Sequence, residues 1–333
     1  MILIQPFFGG KKRTPSELRL AKDLKRVRVR KGLASWCTCT MKVLFFSGEA
    51  TASVAVTVRM KERRVWQGAI GAAVGTEWEV MILEFRTRKP PPKTMAGAEC
   101  CSNPPTLNPN AGIGHVEKFA GLDSYLTGSS HSNLAVLLIS DVFGYEAPNL
   151  RKLADKIAAS GYYVVVPDFF YGEPYDPQNP NRPIGEWLKD HGTDKGFEDA
   201  KPVVEALKSK GISAIGAVGF CWGAKVVVEL AKPKLIQVAV LLHPTFVTVE
   251  DISAVDIPIG ILGAEIDQVS PPELIKKFEE VLKAKPRVDS YVKVVPKVAH
   301  GWTVRYDPQD SKAVKDAEEA HHFVLDWFPK HLK

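Results

Sequence analysis

Residues 215–231 read IGAVGFCWGAKVVVELA, in which an apolar run is followed by a glycine-flanked cysteine and a second apolar segment. Ile215 to Gly219 is a short apolar run typical of a buried strand, and Val226 to Ala231 continues a helix that must begin close to Trp222. Between the strand and the helix stands Gly-x-Cys-x-Gly, centred on Cys221. Glycines two residues before and after a nucleophile relieve crowding in a sharp, strained strand-to-helix turn. The stretch therefore predicts a nucleophile elbow with Cys221 at its tip.

The turn also places Cys221 at a helix N-terminus. There the backbone N–H of Trp222 can bind an oxyanion, and the helix dipole lowers the pKa of a thiol. The alternative is a structural cysteine buried in a glycine-rich turn. The strand, the helix and both glycines together favour a nucleophile.

The rest of the chain from about residue 115 alternates strand-like and helix-like segments, which predicts a mostly parallel sheet with helices on both faces. A long surface loop or lid is expected at Gly172 to Asp190, which is rich in Pro, Asn and aromatic residues. The predicted strands are Leu134 to Ser140, Tyr163 to Pro167, Ile215 to Gly219, Gln237 to Leu242, Ile257 to Leu262 and Ser290 to Val295. The predicted helices are Ala147 to Ser160, Lys195 to Lys210, a helix from about 222, and helices at about 272–284 and 312–328.

A nucleophile elbow implies an acid after a later strand and then a histidine after the last strand. Asp267 follows the predicted strand that ends at Leu262, and His300 follows the last one. His300 would act as the base and Asp267 would orient its ring. Glu265 is the rival acid, and His243 is the rival histidine, although it precedes the acid in the sequence. This order predicts an α/β-hydrolase fold.

Charge divides the 333-residue chain into two parts. Residues 1–94 hold 19 Lys and Arg against 7 Asp and Glu, whereas the remainder holds 25 against 31. We therefore predict a basic extension at 1–94 and a catalytic domain at 95–333. We interpret the extension as upstream sequence before a natural start at Met95. The alternatives are a disordered segment, a targeting segment, or a small folded domain. The last is suggested by the alternation of apolar and polar residues at Thr51 to Val58. A Pro-rich linker is expected at Lys89 to Lys93.

Composition and charge argue against several classes of partner and cofactor. Hydrophobic residues make up 45% of the chain and charged residues 25%, as in an ordinary globular protein. Because the positive charge belongs to the first 94 residues, including the basic run Lys22 to Lys31, we do not expect a nucleic-acid partner. Cys37 to Ser47 is too short to span a bilayer, so no membrane partner is expected. We see no metal-ligand spacing and expect no metal or cofactor.

The five cysteines are an odd number with no repeated spacing. This pattern argues against a disulfide framework and for a reducing compartment. We expect a cytoplasmic protein. An organelle is the alternative if residues 1–94 contain a transit peptide, because the first 40 residues are rich in arginine and poor in acids.

From about 115 to 333 the chain resembles the dienelactone hydrolase (carboxymethylenebutenolidase) family in its eukaryotic, plant-type branch. The matching stretches are Asp141-Val142-Phe143-Gly144, Val166-Pro167-Asp168-Phe169-Phe170, Gly219-Phe220-Cys221-Trp222-Gly223, Asp267 and His300-Gly301-Trp302. The resemblance implies a Cys221, Asp267 and His300 triad. It also implies an oxyanion hole formed by the N–H groups of Trp222 and Val142.

Further residues near these motifs are candidates for substrate binding. Bacterial family members have a glutamate at the position of Asp141 that is thought to interact with the resting thiol, and the acid is shorter here. They also have a carboxylate-binding arginine after the histidine, and Arg305 stands one position away from that spacing. Aromatic candidates for an apolar cleft are Phe143, Tyr145, Phe170, Tyr171 and Trp302.

The expected function is hydrolysis of a small ester or enol lactone through a thioester of Cys221. Two alternatives stay open. Plant members of the same group have carried a 1,3;1,4-β-glucan hydrolase label, but glycoside hydrolysis requires two carboxylates that flank the bond, and the sequence offers no obvious pair. A non-catalytic ligand-binding protein on the same fold is the other alternative, since a fold does not determine a function.

Overall fold

The computed structural model describes residues 37–47, 52–62, 85–86 and 101–333. Packing divides the chain into two compact units, residues 1–93 and 94–333. In the first unit, strands Cys37–Ser47 (β1), Ala52–Glu62 (β2) and Phe85–Arg86 (β3) form an antiparallel sheet in the order β1-β2-β3. Strand β2 contains all but the first residue of the alternating stretch Thr51 to Val58. The basic run at 22–31 and the linker at 89–93 lie outside the described residues.

The second unit contains one eight-stranded sheet. Its strands are β4 (His115–Phe119), β5 (Leu122–Thr127), β6 (Leu134–Ile139), β7 (Tyr163–Pro167), β8 (Ala214–Phe220), β9 (Val238–Leu242), β10 (Ile259–Ile266) and β11 (Ser290–Ala299). The described helices are α1 (Pro148–Ala159), α2 (Ile184–Asp190), α3 (Thr193–Ser209), α4 (Trp222–Ala231), α5 (Val249–Ser253), α6 (Pro272–Lys283) and α7 (Ser311–His331).

The strand order is β11-β10-β9-β8-β6-β7-β5-β4, in which β6 to β11 pair in parallel and β4 and β5 are antiparallel. The central strands are buried on both faces: in β6, Leu137 belongs to one apolar core and Leu138 to the other. This burial explains the uninterrupted apolar runs, because a strand covered on both sides has no solvent face to make polar. The prediction of a mostly parallel α/β-hydrolase sheet is confirmed.

Four elements differ from the sequence prediction. Strand β5 was missed because Asp123, Ser124 and Thr127 interrupt its apolar residues, although five of its six residues are buried. The loop predicted at 172–190 ends in helix α2, whose Trp187 is buried and donates its indole N–H to the backbone oxygen of Glu173. Strand β4 was missed because four of its five residues are exposed, which leaves no apolar pattern. Helix α5 was missed because it has only five residues; Thr248 and Asp251 hold its start in a capping box.

In the described part of the chain, every helix is too short or too polar to cross a bilayer.

Candidate active site

The turn around Cys221 joins β8, which ends at Phe220, to α4, which begins at Trp222. Cys221 has φ 50° and ψ −109°, a conformation that L-residues rarely adopt. A Cβ atom on Gly219 would collide with the backbone of Gly223 and Ala224, and one on Gly223 would collide with the backbone oxygen of Ile139. Both glycines are therefore required for the close approach of the helix to the strand. The turn has the form that the sequence predicts.

His300 and Asp267 meet at the same end of the sheet. Asp267 follows β10 and His300 follows β11, and His300 Nδ1 lies 2.7 Å from Asp267 Oδ2. The other carboxylate oxygen of Asp267 accepts the backbone N–H groups of Val269 and Ser270, at 2.8 and 3.0 Å. Both side chains are buried. The acid is thus fixed by its own loop and leaves one oxygen to orient the imidazole.

The rival acid, Glu265, has a different position. It is exposed on β10, and its side chain accepts the backbone N–H of Lys297 at 2.8 Å. The structure therefore brings Asp267, and not Glu265, to His300.

The protonation of His300 depends on Cys221. Burial lowers the pKa of His300, but the negative charge of Cys221, the hydrogen bonds with Asp267 and Cys221 and the charge of Asp267 together raise it to about 9. A raised pKa means that the imidazolium is favoured near neutral pH. An imidazolium at this position favours a negative charge on a neighbouring sulfur.

The sulfur of Cys221 is fully buried. Its Sγ lies 3.3 Å from Oγ1 of Thr245, a residue that the sequence analysis did not select. Apolar contacts enclose the rest: Val269 packs on Cys221, and the side chains around this pair are Cys101, Ile184, Leu188 and Phe246. Ile184 and Leu188 belong to α2, so this helix packs against the pair of Cys221 and Val269. Thr245 stands three residues past the end of β9, and the rule that sites gather at the carboxyl ends of parallel strands could have identified it.

His243, the rival histidine, packs behind His300. The two rings make an edge contact with centroids 5.1 Å apart, and His243 Nε2 lies 2.8 Å from Thr303 Oγ1. Burial, together with the positive charges of His300 and Arg305, holds the pKa of His243 well below its usual value. His243 is therefore a neutral neighbour of His300.

Asp141 and Arg305 form a buried ion pair. Arg305 Nε lies 3.1 Å from Asp141 Oδ2, and Arg305 also donates to the backbone oxygen of Ser102. The backbone N–H of Phe143 donates to the other oxygen of Asp141. Burial raises the pKa of Asp141, while the positive charge of Arg305 lowers it. Thus the carboxylate that Arg305 binds in this structure belongs to the protein itself.

The two residues expected to form the oxyanion hole are both buried. Trp222 is the first residue of α4, where backbone N–H groups have no acceptor within the helix. Gly223 packs on the backbone of Ile139 and Ser140, which brings the start of α4 against the turn that carries Val142.

The aromatic candidates divide into two groups. Phe143 lies below the guanidinium of Arg305, with the ring centroid 5.3 Å away, and Trp302 packs on His243 at 5.3 Å. The other three have different partners: Phe170 is in an aromatic cluster with Trp187 and Trp222, Tyr145 faces Arg151, and Tyr171 is exposed beside Lys195.

Across the described ranges, no group of three or more His, Cys, Asp and Glu side chains is placed to hold a metal ion.

Comparison with known proteins places this site in context. A family model described as the dienelactone hydrolase family matches residues 122–332. An endo-1,3;1,4-beta-D-glucanase of Zea mays is 42% identical over 200 residues, which are 58% of this chain and 64% of the maize protein. This chain therefore spans less than two thirds of that relative. A carboxymethylenebutenolidase homolog of Xenopus tropicalis is 35% identical over 211 residues, 61% of this chain and 84% of the relative.

A solved structure supports the fold. A Klebsiella pneumoniae protein, solved as a candidate dienelactone hydrolase, aligns with a TM-score of 0.54 at 18% identity over 63% of this chain and 93% of its own.

Proposed function

Because the chain belongs to the dienelactone hydrolase family, we propose that it hydrolyses small esters or lactones with Cys221 as nucleophile, His300 as acid and base, and Asp267 as the residue that orients His300. The observation that carries this proposal is the buried 2.7 Å contact between His300 and Asp267 beside a cysteine in an elbow turn. A structural cysteine would need neither the strained backbone nor a histidine whose pKa its own charge raises.

In the first half of the proposed reaction, the Cys221 thiolate attacks the carbonyl carbon and a C–S bond forms. The oxyanion that results is stabilised by the backbone N–H groups of Trp222 and Val142. As the tetrahedral intermediate collapses, the C–O bond to the leaving group breaks and the His300 imidazolium gives its proton to the alkoxide. The product of this half is a thioester and a neutral imidazole.

In the second half, water attacks the thioester. His300, now neutral, accepts a proton from the water as the new C–O bond forms. The C–S bond then breaks and Cys221 leaves as a thiolate beside the new imidazolium. The carboxylic acid product departs, and the resting ion pair is restored.

The surroundings of the sulfur favour an uncharged, apolar acyl group. Val269, Ile184, Leu188 and Phe246 supply apolar side chains there. Arg305, which the sequence analysis considered as an anchor for a substrate carboxylate, is already paired with Asp141. We propose a small neutral ester or lactone as the substrate and a cytoplasmic location, the latter from the cysteine content alone.

The glucanase alternative is supported by the name of the maize relative. It requires two carboxylates roughly 5–9.5 Å apart that flank the scissile bond. Two buried carboxylates near the elbow, Asp267 and Asp141, are engaged by His300 and Arg305. A glucanase would also leave the arrangement around Cys221 without a role.

A panel of substrates separates these functions. The purified protein is given an enol lactone, a chromogenic aryl ester and a mixed-linkage 1,3;1,4-β-glucan. We expect turnover of the first two and no release of reducing ends from the glucan. Release of reducing ends without ester or lactone turnover would favour the glucanase, and inactivity on all three would favour a binding protein.

A further inference from the structure

Thr245 is fixed against the nucleophile by the backbone as well as by its side chain. Its N–H donates to the backbone oxygen of Cys221 at 3.0 Å, and the N–H of Cys221 donates to the backbone oxygen of Leu242 at 3.1 Å. The loop after β9 is thereby joined to the elbow on both sides. As a result, the Thr245 hydroxyl is held 3.3 Å from Sγ in a fully buried position.

The charge on the sulfur decides the direction of this hydrogen bond. Cys221 stands at the N-terminus of α4, whose dipole favours a thiolate, and in the proposed mechanism this thiolate faces the His300 imidazolium. A thiolate has no proton to give and can only accept. The Thr245 O–H must then donate to Sγ, and hydrogen bonds to ionised groups are stronger than neutral ones.

A buried thiolate also needs this donor. Of the side chains packed against Cys221 and Val269, those of Ile184, Leu188 and Phe246 offer no donor, and Cys101 offers only a weak S–H donor. A charge removed from water is costly unless hydrogen bonds replace its hydration. The positive charge of the His300 imidazolium offsets part of this cost. A hydrogen bond from the Thr245 hydroxyl would stabilise the negative charge on Sγ further. It would leave the proton on His300 available for transfer to the leaving group.

From these contacts we infer that Thr245 is a further catalytic residue, whose hydroxyl donates a hydrogen bond to the Cys221 thiolate. The inference rests on the proposed function. The bond stabilises the resting thiolate, and it stabilises the same anion again when the thioester breaks and the sulfur leaves. The resemblance implies an interaction between the thiol and the acid at 141, but here Asp141 is paired with Arg305 and Thr245 contacts the sulfur.

The test measures the thiolate directly. The rate at which iodoacetamide alkylates Cys221 is followed against pH by the mass of the Cys221 peptide, in the wild type and in Thr245→Val, which removes the hydroxyl and keeps the shape. We expect the alkylation midpoint to rise by about one to two pH units, the shift for a lost hydrogen bond to a charged group. Thr245→Ser should restore the wild-type midpoint.

Two further variants serve as controls for the alkylation test. Thr127→Val removes a buried threonine hydroxyl on β5 and should leave the midpoint unchanged. Thr245→Ala is measured in the same way, so a failure of the valine variant to fold does not remove the test. A midpoint that stays at the wild-type pH in a folded variant without the hydroxyl would overturn the inference.

Turnover separates the role of Thr245 from the function itself. With an aryl ester, Thr245→Val should accumulate acylated Cys221, visible as added mass, because the thiolate leaves more slowly. If the wild type hydrolyses no ester or lactone, the proposed function fails, while the alkylation profile still decides whether Thr245 donates to the sulfur. If the wild type turns over and neither the midpoint nor the acyl mass changes in Thr245→Val, only the inference about Thr245 is wrong.

Discussion

The backbone of Cys221 is held in a conformation that costs of order 1–3 kcal/mol, and its neighbours must maintain it. Gly219 and Gly223 allow this because they let α4 approach the ends of β8 and β6 more closely than any side chain would permit. The sequence predicts this turn because the glycine spacing is local. The same residues that make the turn tight therefore also fix where the sulfur lies.

Gly223→Ala should damage the elbow. The added methyl group would meet the backbone oxygen of Ile139, which cannot move as a flexible side chain can. We expect the free energy of unfolding in urea to fall by about 1–3 kcal/mol and ester turnover to fall with it. Gly185→Ala, in open space in α2, is the control and should be neutral or stabilising by up to about 1 kcal/mol. Equal stability of the two variants would contradict the packing account.

The pH dependence of stability and of ester hydrolysis should report the protonation of His300. Its pKa of about 9 lies above the usual value, so the ion pair contributes stability fully below about pH 6.5 and loses it as the pH rises through 9. In the proposed mechanism the imidazolium protonates the leaving group, so kcat/KM should fall on the alkaline side with an apparent pKa near 9. Asp267→Asn should move this limb to lower pH, since the charge of Asp267 raises the pKa of His300.

The exposed carboxylate of Glu265 gives a matched control for that shift. Glu265→Gln removes the same charge two residues earlier and should leave the alkaline limb in place. An unchanged limb in Asp267→Asn, or an equal shift in both variants, would show that Asp267 does not set the protonation of His300.

The pair of Asp141 and Arg305 should behave as a buried ion pair. Breaking such a pair leaves one charge unpaired, so Asp141→Asn and Arg305→Met should each lower the free energy of unfolding by about 3–5 kcal/mol. The double variant should cost less than the two single changes together, as chemical denaturation can measure. Additive losses, or an Arg305 variant altered only in KM for carboxylate-bearing esters, would instead favour substrate binding by Arg305.

Elements differ in how well the sequence predicts them. The parallel strands could be predicted because burial on both faces produces unbroken apolar runs, as in β6. The edge strand β4 could not be predicted, because its exposed residues leave no apolar pattern in the sequence. The seven-residue helix α2 could not be predicted either, because contacts with residues outside the helix stabilise it. The contact between Thr245 and Cys221 was missed for a related reason. The position of Thr245 after β9 marks it as a candidate for the site, but its contact with the sulfur depends on how that loop meets the elbow in the folded chain.

Helix α2 should limit access to the nucleophile. Leu188 packs against the pair of Cys221 and Val269, so Leu188→Ala should open space there and increase the rate at which a bulky maleimide labels Cys221. Leu274→Ala provides the control, because Leu274 is a similarly half-buried leucine on α6. Rates are compared by peptide mass under conditions in which both variants are folded. Equal labelling of the two would show that α2 does not restrict access.

At the scale of the whole molecule, the change in charge near residue 94 coincides with the boundary between the two compact units. The elements of the proposed mechanism all lie after Met95, and the family match begins at residue 122. We propose that residues 1–94 are dispensable. A chain that starts at Met95 should keep the melting temperature and ester turnover of the full chain. Loss of folding in that shortened chain would show that the first unit stabilises the second.

The central claim is that the sulfur of Cys221 attacks the substrate. Cys221→Ala keeps the elbow backbone and removes only the attacking atom, whereas Cys221→Ser should be slow because a hydroxyl has a far higher pKa than a thiol. His300→Ala should lose about as much activity as Cys221→Ala, and the double variant little more, because triad members act as a unit.

The decisive measurement is hydrolysis of a chromogenic aryl ester by Cys221→Ala, with its fold confirmed by circular dichroism. We expect a folded protein without turnover above background and without acyl mass on the elbow peptide. Turnover near the wild-type rate in the folded variant would contradict the proposed role of Cys221.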